Sequence, residues 1–193
     1  MISAIILAAG QSKRMGQPKM ALRWGKVTVI EKVVVTFMEA GVVDIRVITG
    51  DARGQVEGLV GRTVKTIFNP DYQSGEMLSS VQVGLTDLNS GVEAAIIGLG
   101  DQPQVQVRSV KEVMEAYQKL KAPIIIPSFK KRRGHPWLVT RSHWNAIMEM
   151  RSPESLRDFL NRHESDIHYI EFENESILQD IDSPEDYRNS KPL

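Results

Sequence analysis

The sequence predicts an α/β protein with a doubly wound, mostly parallel sheet. Strand-like and helix-like stretches alternate along nearly all of its 193 residues, without repeats or a long linker. The apolar runs Ala94–Leu99 and Ile124–Ile126 are continuous rather than alternating, as strands covered on both faces require. An opening apolar stretch, Ile5–Ala9, runs straight into a loop of small and basic residues, where such sheets hold their ligands.

Each element follows from local pattern. Between Val27 and Ala40, Val29, Ile30, Val33, Val34, Phe37 and Met38 form one helical stripe, which Gly41 ends. Asp44–Thr49 and Thr63–Phe68 alternate as strands, and a weaker helix, Gln55–Val60, lies between them. Asn69-Pro70 stops the second strand, and a helix runs from Gly75 to Leu88. Ser109-Val110-Lys111-Glu112 fits a capping box, followed by the stripe Val113, Met114, Tyr117 and Leu120. A strand at Pro136–Val139 follows a basic loop. Helices at Ser142–Met150 and Glu154–His163 and a strand at Ile167–Phe172 come next. Ser183-Pro184-Glu185-Asp186 is an N-cap with proline at the first helical position, so a short final helix begins there. The length suits one domain over residues 1–193.

Composition narrows the function. Basic and acidic residues balance at 24 each, so no global charge footprint for nucleic acid exists and any anion site is local. Trp24, Trp137 and Trp144 lack the spacing of a stacking ladder for single strands. The absence of cysteine removes disulfides, thiolate metal sites and cysteine nucleophiles. His143, His163 and His168 fall in a helix and a strand without metal-ligand spacing, and read as packing or surface residues. No run approaches the roughly eighteen apolar residues of a membrane span, and Ile5–Ala9 lacks the basic start of a signal peptide. The expectation is a cytoplasmic protein that meets neither membrane nor nucleic acid.

The opening loop decides among phosphate binders. Gly10-Gln11-Ser12 breaks the dinucleotide fingerprint at its second glycine. Gly10 to Gly16 is one residue too long for a Walker A loop, with Gln17 where the lysine belongs. A glycine turn followed by cations still suits a polyphosphate, because backbone N–H groups reach an anion where side chains are absent. The residues Leu7, Ala8, Ala9, Gly10, Ser12, Arg14, Met15, Gly16 and Lys19 read L-A-A-G-x-S-x-R-M-G-x-x-K. This resembles the signature of the MobA-like NTP transferase family, and within it the molybdenum cofactor cytidylyltransferase branch. Gly100-Asp101-Gln102-Pro103, Gly134-His135-Pro136 and Asp180-Ile181-Asp182-Ser183-Pro184-Glu185-Asp186 follow in family order.

The resemblance implies a Rossmann-like nucleotide-diphospho-sugar transferase fold and Mg²⁺-dependent transfer of CMP from CTP to molybdopterin, with release of pyrophosphate. Asp101 follows an apolar strand and is placed to hold a divalent cation. The family pattern makes Asp182 the second metal ligand, with Asp180 on the same strand face as the alternative. The expected nucleotide site comprises Leu7, Ala8, Ala9, Gly10, Ser12, Arg14, Lys19, Gly75, Ser79 and Asp101. Lys19, Arg14 and Asp101 are the candidate catalytic residues, because this chemistry is mainly positioning and charge neutralisation. Arg133 and His135, in the basic run Lys130–Pro136, would face the acceptor. A molybdenum hydroxylase is the implied recipient of the product. Ala8-Ala9-Gly10, rather than Ala-Gly-Gly, lies closer to the cytidylyl than the guanylyl branch. Guanylyl transfer, a sugar or polyol phosphate acceptor, and a non-catalytic nucleotide-binding accessory protein remain open alternatives.

Overall fold

The computed structural model describes residues 1–74 and 76–192. In chain order it contains β1 (Ile2–Ala8), the short strands β2 (Arg23–Trp24) and β3 (Val27–Thr28), α1 (Val29–Glu39), β4 (Ile45–Thr49) and α2 (Arg53–Val60). Next come β5 (Lys65–Phe68), α3 (Glu76–Thr86), β6 (Ala94–Leu99), α4 (Val107–Leu120), β7 (Ile124–Phe129), β8 (Arg132–Arg133) and β9 (Trp137–Thr140). The chain ends with α5 (Trp144–Glu149), α6 (Leu156–Arg162), β10 (Ile167–Glu171) and α7 (Pro184–Ser190).

The main sheet runs β10-β7-β9-β6-β1-β4-β5, with β8 hairpinned onto β7. Its pairings are parallel except at β9, which lies antiparallel to both β6 and β7, and at the β7–β8 hairpin. The continuous apolar runs behave as strands buried on both faces. On β1, Ala4, Ile6 and Ala8 enter the cluster formed with α1, α2 and α4, while Ile5 and Leu7 enter the cluster formed with α3, α5 and α6. Ile125 faces the first cluster and its neighbours Ile124 and Ile126 the second. Fully burying such side chains contributes about 1.5–3 kcal/mol each. On β6 a side-chain carbon at Gly98 would lie 2.5 Å from the Phe37 ring, so glycine there lets α1 approach the sheet.

Five helix starts differ from the expectation. Helix α2 begins two residues early, at Arg53, and α5 and α6 begin two residues late, at Trp144 and Leu156. The starts of α1 and α4 shift for reasons the contacts show. Helix α1 begins at Val29 because Val27–Thr28 pairs antiparallel with Arg23–Trp24. Thr28 then caps the helix, donating from its N–H (2.7 Å) and hydroxyl (2.6 Å) to the Glu31 carboxylate. Helix α4 begins at Val107, two residues before Ser109, since the N–H groups of Ser109 and Val110 already bond the Gln106 carbonyl. Ser109 is therefore a buried helical residue whose hydroxyl finds no partner among the described residues, and Glu112 instead accepts from Arg108 at 2.5 Å. The final helix starts as expected: Ser183 caps α7 and Pro184 opens it. No described helix is long and apolar enough to cross a membrane.

Candidate active site

The loop after β1 is shaped by backbone as much as by side chains. Ser12 and Gly16 take left-handed conformations (φ 50° and 67°) on either side of a 3-10 turn at Lys13–Met15. A second 3-10 turn follows at Lys19–Ala21. The Lys19 N–H donates to the Ser12 hydroxyl at 3.1 Å, which ties the two turns together. Gly50 lies beneath: a side-chain carbon there would fall 2.3 Å from the Ala9 carbonyl oxygen, so only glycine permits that approach. At Gly10 an added carbon meets nothing within 4 Å. Packing therefore does not demand glycine at Gly10, and a side chain there would take room in the cavity it lines.

Anchoring is apolar. Met15 from the loop packs in one cluster with Trp24, Val29 and Ile181. Ile181 is fully buried, and its N–H donates to the Asp101 carbonyl at 3.0 Å. The residue between Asp180 and Asp182 thus nails the C-terminal segment to the loop after β6. Both aspartates, together with Asp101, Lys19, Leu7, Ala9 and Gly10, line one cavity of about 350 Å³.

Within it the charged groups converge. The Lys19 ammonium donates to Asp101 Oδ2, and to Asp182 Oδ1 at 3.0 Å. Asp182 Oδ2 accepts from the Arg14 guanidinium at 2.5 Å. Burial opposes the charge on Lys19, but Asp101, and after it Asp182, outweigh that cost and hold its pKa above the usual lysine value. Burial, then the neighbouring Asp182 and Asp101 charges, push the Asp180 carboxyl upward. Three carboxylates, Asp101 and Asp182 half-buried and Asp180 exposed, gathered around one buried ammonium form an oxygen donor set of the kind that suits a hard divalent cation.

The other expected nucleotide contacts are placed as follows. Ala8 packs into the core on the α1 side, while Ser12 and Arg14 flank the cavity without lining it. The Ser79 hydroxyl accepts from Asn69 Nδ2 at 2.8 Å and donates to the Glu76 carbonyl at 3.2 Å. Its neighbour Ser80 lines the cavity instead. Gly75 lies outside the described residues. Met20, Tyr72, Glu76 and Met77 also line this cavity and were not among the expected residues. The helical period of α3 was the available signal for Met77 and Ser80, three residues apart on one face.

A larger cavity of about 1040 Å³ adjoins the first, and Glu76 and Met77 line both. The basic run forms its rim as a hairpin: Lys130 and Lys131 make the tip in left-handed conformations, and β8 pairs with β7. Arg133 is braced there, donating to the Tyr169 hydroxyl (2.8 Å) and to Asn161 Oδ1 (2.9 Å). His135 lines the same cavity, and burial pushes its pKa down to about 4, so the imidazole is neutral near pH 7.

The model for the MobA-like NTP transferase domain matches residues 4–167. The molybdenum cofactor cytidylyltransferase of Escherichia coli K12 is 27% identical over 192 residues, covering 98% of this chain and 95% of that protein. Among solved structures, Rv0371c of Mycobacterium tuberculosis superposes with a TM-score of 0.85 at 20% identity, covering 97% of this chain and 96% of that one. A structure of the same mycobacterial protein complexed with manganese gives 0.79 at 19% identity, over 97% and 96% of the two chains. A nucleotidyl transferase from Methanothermobacter thermautotroptrophicus gives 0.84 at 22% identity, over 99% and 96% of the two chains. With a family match spanning most of its length, the chain belongs to the MobA-like NTP transferases and is a nucleotidyltransferase.

Proposed function

We propose that this protein transfers CMP from CTP to molybdopterin, releasing pyrophosphate. The observation that carries the reading is the convergence of Lys19, Asp101 and Asp182 in a cavity that adjoins the Arg133–His135 cavity through Glu76 and Met77. Two substrates in adjoining cavities, with charge gathered at one end, is the arrangement a group transfer between anions requires. Likeness along 98% of the chain to the Escherichia coli cytidylyltransferase supports the choice of base and acceptor.

In this reading the acceptor's phosphate oxygen attacks the α-phosphorus, the bond to the α–β bridging oxygen breaks, and pyrophosphate leaves with that oxygen. The loop amides from Gly10 to Ser12 and the Arg14 guanidinium hold the β and γ phosphates. Lys19 stands against the α-phosphate, where negative charge shifts during transfer. Asp101 and Asp182 would hold Mg²⁺, with Asp180 beside them, and the ion would neutralise phosphate oxygens. Arg133 meets the acceptor's phosphate, and the neutral His135 offers a hydrogen bond without adding charge. A molybdenum hydroxylase would receive the dinucleotide product.

The test is pyrophosphate release from CTP, GTP, ATP and UTP with Mg²⁺, with and without molybdopterin. Release that needs both CTP and molybdopterin is expected. Preference for GTP would move the protein to guanylyl transfer, turnover with a sugar phosphate would change the acceptor, and binding without turnover would make it an accessory protein.

A further inference from the structure

Away from both cavities, the fold assembles a cluster that the sequence spacing does not advertise. His143 precedes α5, His163 ends α6, and Asp166 lies in the turn before β10. One ligand-competent atom from each lies within 4.8 Å of the other two. Asp166 Oδ2 is 3.1 Å from His143 Nε2 and 3.5 Å from His163 Nδ1. The two rings stand nearly perpendicular, 5.0 Å apart at their centroids. His143 is 14% exposed, His163 29% and Asp166 39%, so the cluster is shielded yet reachable from solvent.

From this geometry we propose that His143, His163 and Asp166 form a binding site for a borderline divalent transition metal such as Zn²⁺. Bonds of about 2.0–2.2 Å at a tetrahedral centre set donor–donor edges of about 3.3–3.6 Å. Two of the three edges here are close to that range, and the third, between the two histidines, lies within 4.8 Å. Two imidazole nitrogens with one carboxylate oxygen select Zn²⁺-like ions over Mg²⁺, which favours oxygen ligands. The donor set therefore separates this site chemically from the carboxylates around Lys19.

The surroundings supply what a ligating histidine needs. His143 Nδ1 lies 3.0 Å from the Ser142 hydroxyl, which in turn is 2.8 Å from Thr140 Oγ1. When Nε2 binds metal, the ring proton moves to Nδ1 and is donated to Ser142, so the neutral imidazole keeps its proton count. Phe159 packs against both rings, with centroids 6.4 Å from His143 and 4.8 Å from His163. It also touches Trp137, which lines the larger cavity. The metal would cross-link the end of α6 to the start of α5 and stiffen the cavity wall that α6 contributes.

The experiment titrates the chelator-stripped, intact chain with Co²⁺ in excess Mg²⁺, which occupies all-oxygen sites. One Co²⁺ per chain with intense tetrahedral visible bands, discharged by Zn²⁺, is expected. Asp166→Asn and His163→Gln should lose the bands and weaken Co²⁺ binding beyond the roughly 10- to 100-fold that loss of an outer supporting partner costs. His168→Gln, on the exposed side of β10, should keep both. Equal binding by Asp166→Asn and the parent, or only the weak bands of octahedral, oxygen-bound Co²⁺, overturns the site. Asp166→Asn decides the matter if His163→Gln does not fold.

Discussion

The Lys19 ammonium and the Asp182 carboxylate meet at 3.0 Å although 163 positions separate them in the chain. The first and last motifs of the sequence thus share one charged centre, with Asp101 from the middle as its third member. The convergence brings the functional groups together, and its cost in desolvation is offset only while every charge has its partner.

Removing Lys19 or Asp101 is expected to lower the rate of pyrophosphate release by about a hundred- to a thousand-fold, or on the order of 3–4 kcal/mol. Lys19→Ala and Asp101→Ala should keep a cooperative thermal transition, because the two apolar clusters on either side of the sheet do not contain them. A folded Asp101→Ala protein with near-normal turnover would remove both the metal role and the charge-centre argument.

Ile181 tests whether apolar anchoring sets the polar site. It is fully buried against Met15, Trp24 and Val29. Ile181→Ala should cost about 2–5 kcal/mol. It should also raise the Mg²⁺ concentration needed for half activity, since Asp180 and Asp182 lose their fixed position. Phe37→Ala, a core change of similar cost on α1, should destabilise without altering the Mg²⁺ requirement. Identical metal dependence in the two variants would show that Ile181 serves stability alone.

Much of this site was readable in the chain because it is built from local motifs at strand ends. The loop Leu7–Lys19 and Asp101 after an apolar strand carry their context with them, whereas Asp182 was singled out through the family resemblance. The hairpin Arg23–Thr28 was hidden because two-residue strands leave no periodicity, and its neighbour Val29 continues a helical stripe. Thr28-Val29-Ile30-Glu31 did carry a capping box that marks the true start of α1. The same pattern at Ser109 misled, because S-x-x-E also occurs inside helices and burial, not capping, sets that position. Tyr72 and Glu76 join the cavity by tertiary folding, as do His143, His163 and Asp166 in their cluster, and sequence spacing carries no signal for either grouping.

Arg14 should behave unlike Lys19. Its side chain is 74% exposed, and an exposed ion pair with Asp182 contributes roughly 0–1 kcal/mol. Arg14→Ala is therefore expected to leave the melting temperature nearly unchanged while raising KM for the nucleotide. The KM difference should shrink as salt rises, since an exposed charge is screened. An unchanged KM at low salt would remove Arg14 from phosphate binding.

His135 gives a stability prediction with a defined direction. Burial holds its folded pKa at about 4 against an ordinary 6.5. Above pH 6.5 both folded and unfolded chains carry a neutral ring, and the group makes stability independent of pH. As pH falls from 6.5 towards about 4, the unfolded chain takes up a proton that the folded chain refuses. Stability is therefore lost across that window, by at most about 3.5 kcal/mol at ~1.4 kcal/mol per pH unit. His135→Asn cannot take up that proton, so its unfolding free energy should fall less steeply than the parent's between about pH 7 and about pH 4.5. Parallel slopes in urea unfolding would mean that His135 reaches water in the folded protein, and the neutral hydrogen-bonding role assigned to it beside Arg133 would fail with that result.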